Sequence, residues 1–166
     1  MMANEMKQRK TELMTQEIEK NSDILAGKRW IGYALIVWLA SRVLFHVVDF
    51  ICISQDFWAF SPANLIGFLV SVFFAYAAYS GVKMFAILPI AGGLLMLYQC
   101  FTSGSFEVLM SDEYYTIIRV YAAAFVLASL LQIVVFILII LNKKARAYFD
   151  AVGRVSATIV HEGKSL

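Results

Sequence analysis

Charge is scarce in this chain: Asp, Glu, Lys and Arg make up 16% of its 166 residues, where a soluble domain carries about 25%. Apolar residues reach 61%, and mean hydropathy is +0.73. One water-soluble core of this length cannot hide that much apolar surface. An ordinary soluble enzyme and a disordered chain are excluded. The formal net charge is only +2, with no basic stripe for a phosphate backbone, which excludes a nucleic-acid binder. Cysteine is limited to Cys52 and Cys100, with no Cys-x-x-Cys pair, so dithiol redox catalysis has no basis. The two histidines, His46 and His161, fall in distant segments and form no metal pair. Neither GxxxxGK[ST] nor GxGxxG occurs, so nucleotide binding has no support. No serine stands at a spacing that suggests an activated nucleophile. The expectation is a chain with no catalytic constellation, no metal and no cofactor.

What is present is long apolar runs. A hydrocarbon layer about 30 Å thick takes roughly 20 apolar residues as a helix. Four stretches meet that length: residues 30–48, 63–80, 82–101 and 114–142. They are continuously apolar instead of alternating, which argues for helices over a barrel. The expected fold is all-α, a bundle of four transmembrane helices over residues 30–142. A polar helical segment precedes it at residues 1–29, and an amphipathic basic tail follows at residues 143–166. No cleavable signal peptide is visible, so the first span is expected to stay as a signal anchor.

Loop charge gives orientation, because short cytoplasmic loops carry the Lys and Arg. Lys7, Arg9, Lys10, Lys20, Lys28 and Arg29 precede the first span. Lys83 lies between the second and third spans, and Lys143, Lys144, Arg146, Arg154 and Lys164 follow the fourth. The other two connections hold Asp49, Asp56, Glu107, Asp112 and Glu113 with no Lys or Arg. Both termini are therefore expected in the cytoplasm, in a multi-pass protein of the plasma membrane. Trp30, Tyr33, Tyr76 and Tyr79 mark the inner interface, and Phe57, Trp58, Tyr98, Tyr114 and Tyr115 the outer one. Trp38 is too deep for either belt and is expected inside the bundle.

Helices in lipid associate through small residues and polar contacts. Ala63, Gly67, Ser71 and Ala75 recur every fourth residue in the second span, and Ala124 and Ala128 do so in the fourth. Pro89 in the third span predicts a kink, with a hinge as the alternative. Outside the spans, Met14, Ile18, Asn21 and Leu25 form a thin stripe suited to a helix that leans on its own bundle or on a partner. Tyr148, Phe149, Val152, Val155 and Ile159 recur at helical spacing beside basic residues, the pattern of an interfacial helix drawn to anionic lipid.

The candidate site is a set of polar residues in the outer half. Arg42, His46 and Asp49 share one face of the first span at i, i+4 and i+7. Asn64, Gln99 and Arg119 come from the other spans at similar depth, with Glu113 just above Arg119. Two readings compete. In one, Arg42 pairs with Asp49, Asp112 or Glu113, and His46 bonds a backbone carbonyl. In the other, the cluster lines an outward-facing vestibule for an anionic or polar ligand. Cys52 and Cys100 both fall at the outer side, either bridged or as two unpaired thiols.

The leading expectation is a non-enzymatic subunit or modulator that works by helix packing, with itself as a homo-oligomer or with another membrane protein. The alternative is a small oligomeric transporter or channel built around the polar vestibule.

Overall fold

The computed structural model describes residues 2–55, 62–111 and 114–164, and the described residues form seven helices with no strand. In chain order these are α1 (Met2–Lys20), α2 (Asp23–Ser54), α3 (Pro62–Tyr79), α4 (Met84–Thr102), α5 (Ser105–Met110), α6 (Thr116–Leu141) and α7 (Lys143–Lys164). By length and composition α2, α4 and α6 are long and apolar enough to cross a membrane, which marks the chain as a membrane protein. The apolar part of α3 among the described residues, Leu65–Tyr79, is shorter.

Two asparagines set the helix boundaries. Asn21 Oδ1 accepts the Asp23 N–H at 2.9 Å, at the break between α1 and α2. Asn142 Oδ1 accepts the N–H groups of Lys144 and Ala145 at 2.9 and 3.0 Å, at the break between α6 and α7. In each case the side chain satisfies donors that a new helix leaves unpaired. Each break separates an apolar span from an amphipathic helix.

α2 and α4 each stand beside both α3 and α6, so the four helices form a ring. A tight turn makes α3 and α4 antiparallel, with Gly81 N–H donating to Ala78 and Val82 N–H to Ala77. Gly81 sits at φ +91°, a conformation that favours glycine, and a Cβ there would meet Val152 Cγ2 at 2.6 Å. This turn, α1 and α7 thus collect at one end of the ring. α5 packs on α4 and α6, beyond the far end of α4.

The expected destination of α7 is corrected by the structure. Tyr148, Phe149, Val152 and Val155 are buried in protein instead of facing lipid. α7 lies along α2, with further contacts to α1 and α6. Gly27 of α2 makes the close approach: a Cβ there would stand 2.0 Å from the Lys144 carbonyl oxygen. Tyr148 donates its hydroxyl to the Tyr79 carbonyl at 2.8 Å, and its burial pushes the phenol up to about 12. α1 closes over α7 through ion pairs. Arg154 donates to Glu17 at 2.5 and 3.1 Å, and Arg9 donates to Glu162 at 2.9 and 3.2 Å. These hydrogen bonds from arginine hold both carboxyls below the usual carboxylate range. Exposed ion pairs contribute little on their own. Each fully buried apolar side chain of α7 contributes about 1.5–3 kcal/mol, so the apolar face and not the charge anchors the helix.

The stripe on α1 divides in two. Met14 and Ile18 pack against the core, so α1 leans on its own bundle. Asn21 ends the helix and resets the phase, so Ile24 is buried and Leu25 is exposed. The small-residue stripe is used in part. Ser71, Ala75 and Ala128 are buried and Ala124 is half-buried, whereas a Cβ on Gly67 would meet open space. Gly67 therefore makes no close helix contact within the chain. The tight α4–α6 contact is instead at Gly93, where a Cβ would lie 2.7 Å from Ile133.

Candidate functional site

The inward face of α2 carries Trp38, Arg42, Phe45, Asp49 and Cys52, at steps of four and three, and all five are buried. Period 3.6 alone brings them onto one line. At its inner end Trp38, 2% exposed, stands edge-on to Phe136 with ring centroids 4.8 Å apart. Its indole N–H donates to Gln132 Oε1 at 3.3 Å, and Gln132 Nε2 donates to the Pro89 carbonyl at 2.7 Å. One glutamine on α6 thus ties α2 to α4, and α4 runs unbroken through Pro89. The expectation that Trp38 sits within the bundle holds.

One turn further out is Arg42, 7% exposed. Its Nη1 donates to the Met96 sulfur at 3.4 Å, its guanidinium carbon lies 6.0 Å from the Phe45 ring centroid, and its Nε has no partner among the described residues. Among the described residues no carboxylate is within ion-pair distance of Arg42. The expected pairing with Asp49 is not formed. Asp49 is 4% exposed and is engaged elsewhere, within electrostatic reach of Tyr121. Among the described residues a soft sulfur and a ring face stand in place of an acid, which compensates a buried cation poorly.

His46 turns aside toward α3. Its ring stands edge-on to Phe45 and Phe68, each 5.3 Å between centroids, and its Nε2 is buried with no partner among the described residues. The expected bond from His46 to a backbone carbonyl is not formed among the described residues. Beside it an open groove of about 400 Å³ runs between α2 and α3, lined by Val43, Val47, Phe50 and Leu65 with His46 and Asp49 as its polar members. The groove opens laterally, through side chains exposed on the outside of the bundle.

The remaining candidates do not join this group. Gln99 is exposed and lines a separate groove with Thr102, Ser103 and Tyr121. Arg119 is half-buried on α6 and has a partner. Asn64 lies on α3 but its side chain is outside the described residues, as are Asp56, Phe57, Trp58, Asp112 and Glu113. The structure therefore brings together Arg42, His46 and Asp49, all from α2, with Met96, Phe68 and Tyr121 from the neighbours. Met96 and Tyr121 were not legible as site residues, because a methionine or tyrosine in a span carries no signal beyond apolar filling. Cys52 and Cys100 are free thiols, both buried, and Cys100 lies against the Ser129 hydroxyl. The bridged reading is not realised. Among the described residues no three His, Cys, Asp or Glu side chains gather closely enough to hold a metal.

Compared with family models, curated proteins and solved structures, the chain finds no match.

Proposed function

We propose that the chain is a four-span protein of the plasma membrane with both termini in the cytoplasm. It acts as a non-enzymatic subunit or modulator, through helix packing with further copies of itself or with another membrane protein. In this reading α3 also crosses, as the second of the four spans, held against α2 and α4, and the turn at Gly81 sends the chain back across as α4. The basic residues around α1, Lys83 and α7 face the cytoplasm, and Glu107 faces away from it.

The observation that carries the reading is where the apolar surface goes. Only 33%, 22% and 33% of the most apolar windows of α2, α4 and α6 are buried within the chain. Large side chains such as Ile36, Phe50, Leu69, Phe73, Leu95 and Leu141 point outward. Four helices this thin leave most of their surface to lipid or to other helices, whereas the interior is filled by Trp38, Gln132 and Phe136. Purification in mild detergent is expected to give a fixed stoichiometry, either of this chain alone or with one partner, and liposomes containing the chain alone are expected to carry no solute flux. Flux by the isolated chain overturns the proposal.

The transporter reading rests on a different observation, the two buried nitrogens with no partner among the described residues, Arg42 Nε and His46 Nε2. A polar or anionic ligand entering an oligomeric pathway would satisfy them. Flux that depends on Arg42 and His46 supports this second reading.

A further inference from the structure

At the end of the ring where α1 packs on α7 and α2 lies a further groove, of about 630 Å³, which reaches to the end of α3. α1 presents Lys7, Lys10, Thr11, Met14, Thr15 and Ile18 to it, one helical face at steps of three and four. The lysines and threonines form the rim, and Met14 and Ile18 pack into the core behind them. Lys28 enters from α2, its ammonium 5.1 Å from the Tyr79 ring centroid and 6.0 Å from that of Tyr148. The far wall is Tyr76, Tyr79 and Ser80, the last turn of α3.

Three features give this groove one chemistry. Its charges are of one sign, since no Asp or Glu is among its lining residues. None of the four acids of α1 lines it, and two of them are turned to other partners, Glu17 to Arg154 and Glu12 to Arg9. Among the described residues Lys7, Lys10 and Lys28 have no carboxylate partner. Its depth is that of lipid headgroups, because Tyr76 and Tyr79 close an apolar helix at the level where tyrosine anchors. Its floor is apolar, with Ile24 and Leu25, the latter exposed toward the side where acyl chains would run.

We propose that this groove holds the headgroup of one anionic phospholipid from the adjacent leaflet, its phosphate among Lys7, Lys10 and Lys28 and its glycerol end over Ile24 and Leu25. Basic pockets against membrane helices recognise acidic headgroups in this way. The inference rests on the helices lying in a bilayer and is independent of any partner. It also reassigns the lipid contact expected of α7: the apolar face of α7 is consumed inside the protein, and the lysines of α1 and α2 take over the anionic lipid.

The test uses the full chain in mild detergent, titrated with phosphatidylglycerol or phosphatidylcholine, with bound lipid counted by native mass spectrometry. One phosphatidylglycerol per chain is expected to bind at least tenfold more tightly than phosphatidylcholine. At about fivefold per lysine, the Lys7→Gln, Lys10→Gln, Lys28→Gln triple variant is expected to weaken phosphatidylglycerol roughly 100-fold. Lys83→Gln with Lys143→Gln, which removes two exposed cations outside the groove, is expected to stay within about twofold. If the triple variant fails to fold, Lys7→Gln with Lys10→Gln, both exposed, is expected to lose roughly 25-fold. Equal binding of the two lipids, equal loss in the control pair, or unchanged binding in the lysine variants overturns the proposal. Displacement of the lipid by millimolar glycerol phosphate also overturns it, assigning the groove to a soluble phosphate.

Discussion

Gly27→Ala is expected to detach α7 from α2 and to destabilise the protein by about 3 kcal/mol. In an unobstructed helix the same change stabilises by about 1 kcal/mol, since glycine is the poorer helix former. The sign reverses here because the new methyl would stand 2.0 Å from the Lys144 carbonyl oxygen and 2.4 Å from its carbon. Both are backbone atoms at the Asn142-capped start of α7, and no side chain can rotate away to relieve the clash. Gly153→Ala is the matched control, because Gly153 lies inside α7 with nothing within 4 Å of a new Cβ, and it is expected to stabilise by about 1 kcal/mol. Limited proteolysis separates the two: Gly27→Ala is expected to release α7 while the spans stay protected. Equal stability of the two variants would mean that α7 does not pack on α2 as described.

Arg42→Met is expected to stabilise the folded protein by roughly 1–3 kcal/mol, measured by reversible unfolding in mixed micelles. Insertion scales charge about 2.5–3.5 kcal/mol for an arginine at a helix centre. Replacing a buried charge with an apolar side chain of similar shape is neutral to stabilising by about 1–4 kcal/mol. Among the described residues Arg42 recovers little of its cost, from one sulfur acceptor and a ring face, with Nε left without a partner. A variant that is more stable yet inactive would place Arg42 in function. A loss of stability would mean that an acid compensates the guanidinium in the membrane.

The spans were legible because continuous apolar composition specifies helices in lipid. The break at Asn142 was legible for the same reason, charge resuming directly after it. Trp38 was legible by depth alone. The fate of α7 was not, since Tyr148, Phe149, Val152 and Val155 make the same amphipathic pattern whether lipid or protein covers them. Gly27 was hidden in a polar stretch before the first span, where a glycine carries no packing signal. Leu25 was assigned to the buried stripe in place of Ile24 because the periodicity ran through Asn21 without the break. In the candidate site, the shared face of Arg42, His46 and Asp49 followed from spacing. Their neighbours Met96, Phe68 and Tyr121 depend on the rotation of three other helices, which no local pattern records. Gln99 shared their depth but not their direction, for depth follows from position along a span and direction from packing.

Sidedness is read most directly by attaching a membrane-impermeant maleimide to single cysteines in sealed, right-side-out vesicles, with Cys52 and Cys100 replaced by serine. Cysteine at Glu107 is expected to label from outside. Cysteines at Lys83 and at Lys143 are expected to label only after the vesicles are opened. Labelling of Glu107→Cys and Lys143→Cys from the same side would contradict an even number of crossings with both ends inside.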